Sequence, residues 1–227
     1  MTWKDVTVEL YQEYVALSLK EMDSDDFEQV HNFNLRLVSL FNNITIRQVE
    51  LMRTDELKEK LTELAFLNEE IPEQPTKRIK VNGNYYRFVY DARKVRNIPD
   101  LAKFSKAGDV VSIKQFSQDF VNNLHKIAAS LIQPQRKICG LYFDKKYNYF
   151  EHEKYANDLL DAPITALYGY CLFFCQVFGQ QTKTLVDYLV GNSQMMSTEN
   201  LNRLMDLQRI MGGFSTLKKS QNINELS

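Results

Sequence analysis

A chain of 227 residues with 44% apolar and 25% charged residues, eight Gly and five Pro can bury a sizeable core, and its composition excludes a collagen-like or largely disordered polymer. Three Cys without regular spacing exclude a disulfide framework and point to a reducing compartment. The net charge of −1 conceals a segregation. Residues 1–75 carry 7 Lys/Arg and 16 Asp/Glu, residues 76–146 carry 15 and 5, and residues 147–227 carry 6 and 8. Either the two charged blocks neutralise each other within the fold, or one of them faces a partner.

The opening MTWKDVTVELYQEY has no apolar run and carries acids, which is not the pattern of a signal peptide. Trp3 reads as a packing anchor. Leu10, Tyr14 and Leu17 recur at helical spacing over residues 8–20, with Thr7 as cap. Ser24 or Asp23 is expected to cap a second helix, whose first-turn acids Asp25, Asp26 and Glu28 suit the positive end of its dipole. Its buried stripe is read as Val30, Phe33, Leu37, Leu40 and Phe41. Thr45 and Gln48 form a potential capping box for the short helix IRQVELM. Thr54 is expected to cap DELKEKLTELAFL, where Leu57, Leu61 and Leu64 repeat.

Residues 68–77, NEEIPEQPTK, are polar, contain proline and coincide with the change of charge sign, so they are the expected boundary. The organisation read from the chain is an acidic helical part over 1–67, a linker over 68–77, a basic hairpin plus helical part over 78–213, and a flexible tail over 214–227. The hairpin is IKVNGNYYRFVYD. Asn82-Gly83 supplies the positive φ angles of a tight primed turn. Ile79 and Val81 alternate with Arg78 and Lys80, and Tyr86, Phe88 and Tyr90 alternate with Tyr85, Arg87 and Val89. A lone two-stranded hairpin is marginal in water, so its aromatic face must pack on something.

Further on, Pro99 suits the first turn of a short helix and VVSIKQFS suits a strand or loop. Ser117 or Asp119 is expected to cap FVNNLHKIAASLIQ, with Phe120, Leu124, Ile127 and Leu131 inward and Pro134 as terminator. GLYFDKKYNYF reads as irregular, HEKYANDLL as a short helix, and Asp161-Ala-Pro as the start of an apolar helix over 162–179. That stretch falls short of the roughly 20 residues that span a bilayer and reads as a buried core helix. Thr182 and Gly191 bound another helix. Ser197 or Thr198 caps a last one, which Gly212-Gly213 stops.

No catalytic motif stands out. His31, His125 and His152 are far apart and lie in no metal-ligand spacing. Cys171 and Cys175 share an apolar helix face and read as buried thiols, whereas Cys139 lies in a loop. Neither a cofactor nor an enzyme is expected. The interleaving of Lys77, Arg78, Lys80, Arg87, Arg93, Lys94 and Arg96 with Tyr85, Tyr86, Phe88 and Tyr90 admits a nucleic-acid surface, in which cations neutralise phosphates and rings stack on bases. The competing reading is a solvated basic surface over an aromatic core.

Residues 30–67, VHNFNLRLVSLFNNITIRQVELMRTDELKEKLTELAFL, resemble the helical unit of bacteriophage tail assembly chaperones in the order of their parts: an amphipathic helix, a short one, then a charged one. WKDVTVELYQEY is similar to the start of phage tail and virion proteins. VNGNYYRFVYD, FSQDFVNNLHKIAASLIQP and YANDLLDAPITALYGYCLFFCQVF look like extensions of larger phage proteins of that kind. The motif-level match covers roughly a sixth of the chain, and the basic hairpin is a departure from the family's pattern. The resemblance implies a mostly α (α+β), non-enzymatic assembly factor in the host cytoplasm. Its partner would be a tape measure protein or another tail or virion protein, with homo-oligomers also open, nucleic acid not expected as the partner and no membrane involved. A chaperone of this kind needs apolar or aromatic grooves and sheet edges. Tyr85, Arg87 and Val89 are the expected contact residues if they face outward. The alternatives are a structural virion protein (a connector, ring or tail-associated subunit) and a nucleic-acid-binding accessory protein.

Overall fold

A computed structural model describes residues 1–21, 26–72, 76–90 and 120–174. The fold is α+β and helix-rich, with one small four-stranded antiparallel sheet. After a 3-10 turn at Trp3–Asp5 come α1 (Val8–Glu21), α2 (Phe27–Asn42), α3 (Ile46–Glu50), α4 (Thr54–Glu63) and a second 3-10 turn at Ala65–Asn68. The sheet strands are β1 (Arg78–Val81), β2 (Asn84–Phe88), β3 (Ile132–Ile138) and β4 (Leu141–Asp144). α5 (Leu124–Ser130) precedes β3; α6 (His152–Leu160) and α7 (residues 164–174) follow β4.

The helix starts are set by short polar side chains. The Leu10 amide donates to Thr7 Oγ1 at 3.2 Å, as expected. Thr45 and Gln48 close their capping box: the Thr45 amide donates to Gln48 Oε1 at 2.8 Å and the Gln48 amide to Thr45 Oγ1 at 3.3 Å. For α2 the cap is Asp26, which accepts from the Glu28 amide at 3.1 Å; Ser24 and Asp23 lie outside the described residues. α4 starts at Thr54 itself, with Arg53 in the cap position and the Arg53 amide donating to Glu56 Oε2. The α2 stripe is rotated from the expected one: Leu35, Leu37, Val38 and Phe41 are buried while Val30 is exposed.

Trp3 anchors the N-terminal layer. It meets Tyr11 and Phe66 edge-on at 5.9 and 5.3 Å, and its indole N–H donates to the Glu69 carbonyl at 3.2 Å. One hydrophobic cluster continues from Trp3 through Phe66 and Ile79 to Phe174, across the expected linker at 68–77. The N-terminal segment is tied to a late one as well. Thr7 forms a bridge with Pro163, the Val8 amide donates to Ala162 O at 3.0 Å, and the Ile164 amide donates to Val6 O at 2.9 Å.

The hairpin forms as expected, with Asn82 at φ 49 and Gly83 at φ 78 in the turn. It is not alone, however. β2 pairs antiparallel with β3 and β3 with β4, which gives the order β1-β2-β3-β4. Two expectations are corrected here. Pro134 does not end a helix: α5 stops at Ser130 and Pro134 lies inside the central strand β3. GLYFDKKYNYF is not wholly irregular, because its first residues are β4.

A proline in a central strand needs an explanation. Opposite Tyr86 it occupies a pair that exchanges no backbone hydrogen bonds, since the bonded pairs flank it by alternation from Val89–Leu131. Its missing N–H points toward β4, where the Lys145 amide donates to Pro134 O at 2.8 Å but Lys145 O would lack the reciprocal donor. The Gln133 side-chain amide donates to Lys145 O instead. Proline also biases the residue before it toward extended backbone, which suits Gln133 in β3.

The inner face of the sheet packs on α6 and α7. Tyr86 and Phe88 are almost fully buried; Phe88 lies 4.3 Å from the Tyr170 ring and Tyr86 lies 6.2 Å from Tyr155. Burying a side chain like Phe88 contributes about 1.5–3 kcal/mol. The polar tips are satisfied. Tyr86 Oη and Asn84 Nδ2 both donate to Asp158 Oδ2, and Tyr170 Oη reaches Val89 O and Leu131 O, each at 2.7 Å. Burial, followed by the Asp158 carboxylate, holds the Tyr86 phenol well above its ordinary pKa.

Pro99, the VVSIKQFS segment, the caps Ser117 and Asp119, Cys175, and the elements expected from Thr182 to Gly213 and beyond lie outside the described residues. No helix among the described residues is long and apolar enough to cross a membrane.

Candidate functional site

The outer face of the sheet gathers the hairpin's polar residues and those of β3 and β4 into one surface. Strand alternation places Arg78 and Lys80 on β1, Tyr85 and Arg87 on β2, Gln133, Gln135 and Lys137 on β3, and Tyr142 and Asp144 on β4. Tyr85 and Tyr142 come from strands that flank β3, yet their rings meet edge-on at 5.3 Å. They lean together beside Gln135, which is only 4% exposed. Gln135 is fully engaged: Arg78 Nε donates to its Oε1 at 2.8 Å, and its Nε2 donates to Asp144 Oδ1 at 2.6 Å.

Cations surround the two rings. The Arg78 guanidinium lies 4.4 Å from the Tyr142 centroid and Lys137 Nζ lies 5.5 Å from it; Lys80 Nζ lies 5.6 Å from the Tyr85 centroid. Arg87 forms a fork with Asp144, through Nε at 3.2 Å and a terminal nitrogen at 2.6 Å. The hydrogen bond from Arg87 holds the Asp144 carboxyl below its ordinary pKa. The ion pairs that lie wholly among the described residues are Arg53–Asp55, Lys60–Glu63 and Arg87–Asp144, and each stays within one charge block. Arg78, Lys80 and Lys137 take part in none of them.

The expected contact residues separate. Tyr85 and Arg87 are half-buried on the outer face, whereas Val89 is 7% exposed. Val89 lies one residue past the end of β2, where its amide donates to Leu131 O at 2.9 Å. The outward orientation expected for it does not hold. Of the other aromatics considered for nucleic acid, Tyr86 and Phe88 face the core. Arg93, Lys94 and Arg96 lie outside the described residues. Tyr142, which completes the ring pair, was not anticipated. Its signal was the Leu-Tyr-Phe-Asp alternation after Cys139-Gly140.

β4 offers a second surface. Among the described residues it is an edge strand. Leu141 is 63%, Ile138 44% and Phe143 43% exposed. These three share the side of the sheet that carries Ile132 and Pro134, and with the exposed Arg136 opposite Phe143 they form a largely apolar overhang that one cation interrupts. The turn before β4, Cys139-Gly140, has both residues at positive φ and leaves the Cys139 thiol exposed.

The histidines serve packing and hydrogen bonding. His31 stacks with Phe27, and His152 Nδ1 lies 2.6 Å from Tyr147 Oη. His125 is nearly buried; burial, reinforced by Lys126, lowers its pKa to about 4. Gln12 Nε2 reaches its Nδ1 at 3.0 Å and also the Val121 and Asn122 carbonyls at 2.8 and 3.1 Å. Among the described residues no cluster of His, Cys, Asp and Glu is arranged to hold a metal. A partly open cleft lined by Tyr86, Gln135, Lys154 and Tyr155 has a volume of about 60 Å³, and a wide, shallow depression of about 670 Å³ along α4 is lined by the charged and polar side chains of Asp55, Lys58, Glu59 and Thr62.

Compared with known protein families, with curated proteins and with solved structures, the chain shows no match to any of them.

Proposed function

We propose that this chain is a non-enzymatic assembly factor of the phage tail assembly chaperone kind, acting in the host cytoplasm on a tape measure protein. The observation that carries the reading is the β4 edge. Among the described residues β4 is a short edge strand, and it lies beside an overhang of Ile138, Leu141 and Phe143, which is the geometry that accepts an extended or amphipathic apolar segment. Natural sheets usually blunt such an edge with charge, proline or a bulge. Here the edge strand Leu-Tyr-Phe-Asp carries a single charge, Asp144, which Arg87 already holds on the outer face, and it contains neither lysine nor proline. The resemblance of residues 30–67 adds the family context.

The test is coexpression with a tape measure protein. The chain should keep that client in the soluble fraction, and Leu141→Lys/Phe143→Lys should lose the protection while remaining folded. Equal protection by the double variant would remove the edge from the reading. A chain that gives no protection and is found at fixed copy number in purified particles would instead be a structural subunit.

A further inference from the structure

We propose that the outer face of the sheet binds single-stranded nucleic acid, with Tyr85 and Tyr142 stacking on bases and Arg78, Lys80 and Lys137 facing the phosphates. This site is separate from the β4 overhang, which lies on the other side of the sheet, so either proposal can fail without the other.

Charge complementarity selects the ligand. The three cations join none of the ion pairs among the described residues, and Asp144, the acid of this face, is already held by Arg87 and Gln135. An anion can therefore approach without displacing a partner carboxylate from these three. The rings decide which anion. An acidic peptide would use the cations and leave the tyrosines idle. A single strand uses both, because every base has a π face and every nucleotide a phosphate. Duplex DNA would bury its bases away from the rings.

The cations now lie over the rings, and a base must take their place. That exchange is favourable in magnitude. An exposed cation–π contact contributes only about 2- to 5-fold, whereas stacking of one base on an aromatic side chain contributes about 5- to 150-fold. The displaced ammonium or guanidinium groups sit on long side chains and remain within reach of the backbone. Gln135, on the strand between the two rings, fixes Arg78 at 2.8 Å and Asp144 at 2.6 Å beside them.

The experiment is fluorescence anisotropy of a labelled oligothymidylate of about 20 nucleotides with the full chain, between about 50 and 200 mM salt. Three variants are compared. Tyr85→Leu/Tyr142→Leu should weaken binding at least about 20-fold, while Tyr85→Phe/Tyr142→Phe should keep it within about 3-fold. Lys80→Gln/Lys137→Gln should reduce the slope of log affinity against log salt by about 1.4, or about 0.7 for each phosphate that is no longer neutralised. Lys4→Gln/Lys58→Gln, which removes the same charge from exposed positions elsewhere, serves as the control and should leave the slope unchanged. If circular dichroism shows the Leu variant unfolded, the lysine pair and its control decide the matter alone. The proposal is overturned by absence of salt-dependent binding, by a folded Leu variant that binds like wild type, or by an equal slope change in the control. It is also overturned if polyglutamate of equal charge competes as well as the oligonucleotide does, which would identify an acidic protein as the ligand.

Discussion

His125 offers the sharpest test of the packing between the N-terminal helices and the sheet layer. The residue is 9% exposed, and its Nδ1 lies 3.0 Å from Gln12 Nε2, an amide nitrogen that can only donate. A protonated ring would set donor against donor in a site with little water. Burial is the main cause of the lowered pKa of about 4, Lys126 adds to it, and Glu153 opposes it. In the unfolded chain the ordinary value is about 6.5. Above pH 6.5 both states hold a neutral ring and the histidine contributes no pH dependence. As pH falls from about 6.5 toward 4, the unfolded state gains a proton that the folded state refuses, so stability drops; below 4 the loss levels off. A difference of about 2.5 units corresponds to a plateau of about 3 kcal/mol, of which about 2 kcal/mol is already expressed at pH 5. With a urea m-value of roughly 2–3 kcal/mol/M, the midpoint moves by about 0.7–1 M. His125→Asn keeps an acceptor near the Nδ1 position and cannot ionise. Urea unfolding at pH 7 and pH 5 should therefore show wild type losing about 2 kcal/mol more than the variant. An equal loss in both proteins, within about 0.5 kcal/mol, would refute the argument: the ring would be ionising in the fold much as it does in water.

Four further outcomes are expected. Gln133→Leu removes the donor that stands in for Pro134's absent N–H and should cost about 1–3 kcal/mol; adding Pro134→Ala should recover part of that loss, so a double-mutant cycle in urea should show coupling. Asp158→Ala leaves Tyr86 Oη and Asn84 Nδ2 without their shared acceptor and should destabilise by about 2–3 kcal/mol, whereas Tyr86→Phe should cost about 1 kcal/mol; thermal melts order the two. Gly140→Ala places a Cβ on a residue at φ 83 and should lower stability by about 1 kcal/mol, although nothing crowds that Cβ within 4 Å. Cys139→Asn, which suits the first position of the same primed turn, should be neutral or slightly stabilising.

The parts of the fold governed by local chemistry were legible in the chain. Asn82-Gly83, the Thr45–Gln48 box, Thr7 and Asp161-Ala-Pro each act over a few residues, and each does in the structure what its chemistry requires. The parts that depended on distant partners were not. Pro134 carries a strong local signal to stop a helix, and only the Gln133 amide reaching Lys145 O makes it admissible in a central strand. Cys139 is not a usual residue for positive φ, which hid the second hairpin and with it Tyr142. Val89 keeps the parity of Tyr85 and Arg87, but parity has no authority past the end of a strand. The contact between Gln12 and His125 spans 113 residues and leaves no periodic trace.

The ties among Val6, Val8, Ala162 and Ile164 have a consequence for synthesis. The first helix is translated early, but the segment that completes its backbone bonds emerges 156 residues later. At roughly 5–20 residues per second, a ribosome takes about 8 to 30 s to cover that distance. During that interval Val6 and Val8 lack the backbone partners at Ala162 and Ile164, and Tyr11 lacks the Tyr168 ring that covers one side of it. The N-terminal helices must wait, loosely held, for the end of the described chain to arrive, and a pause in translation between residues 68 and 162 would lengthen their exposure.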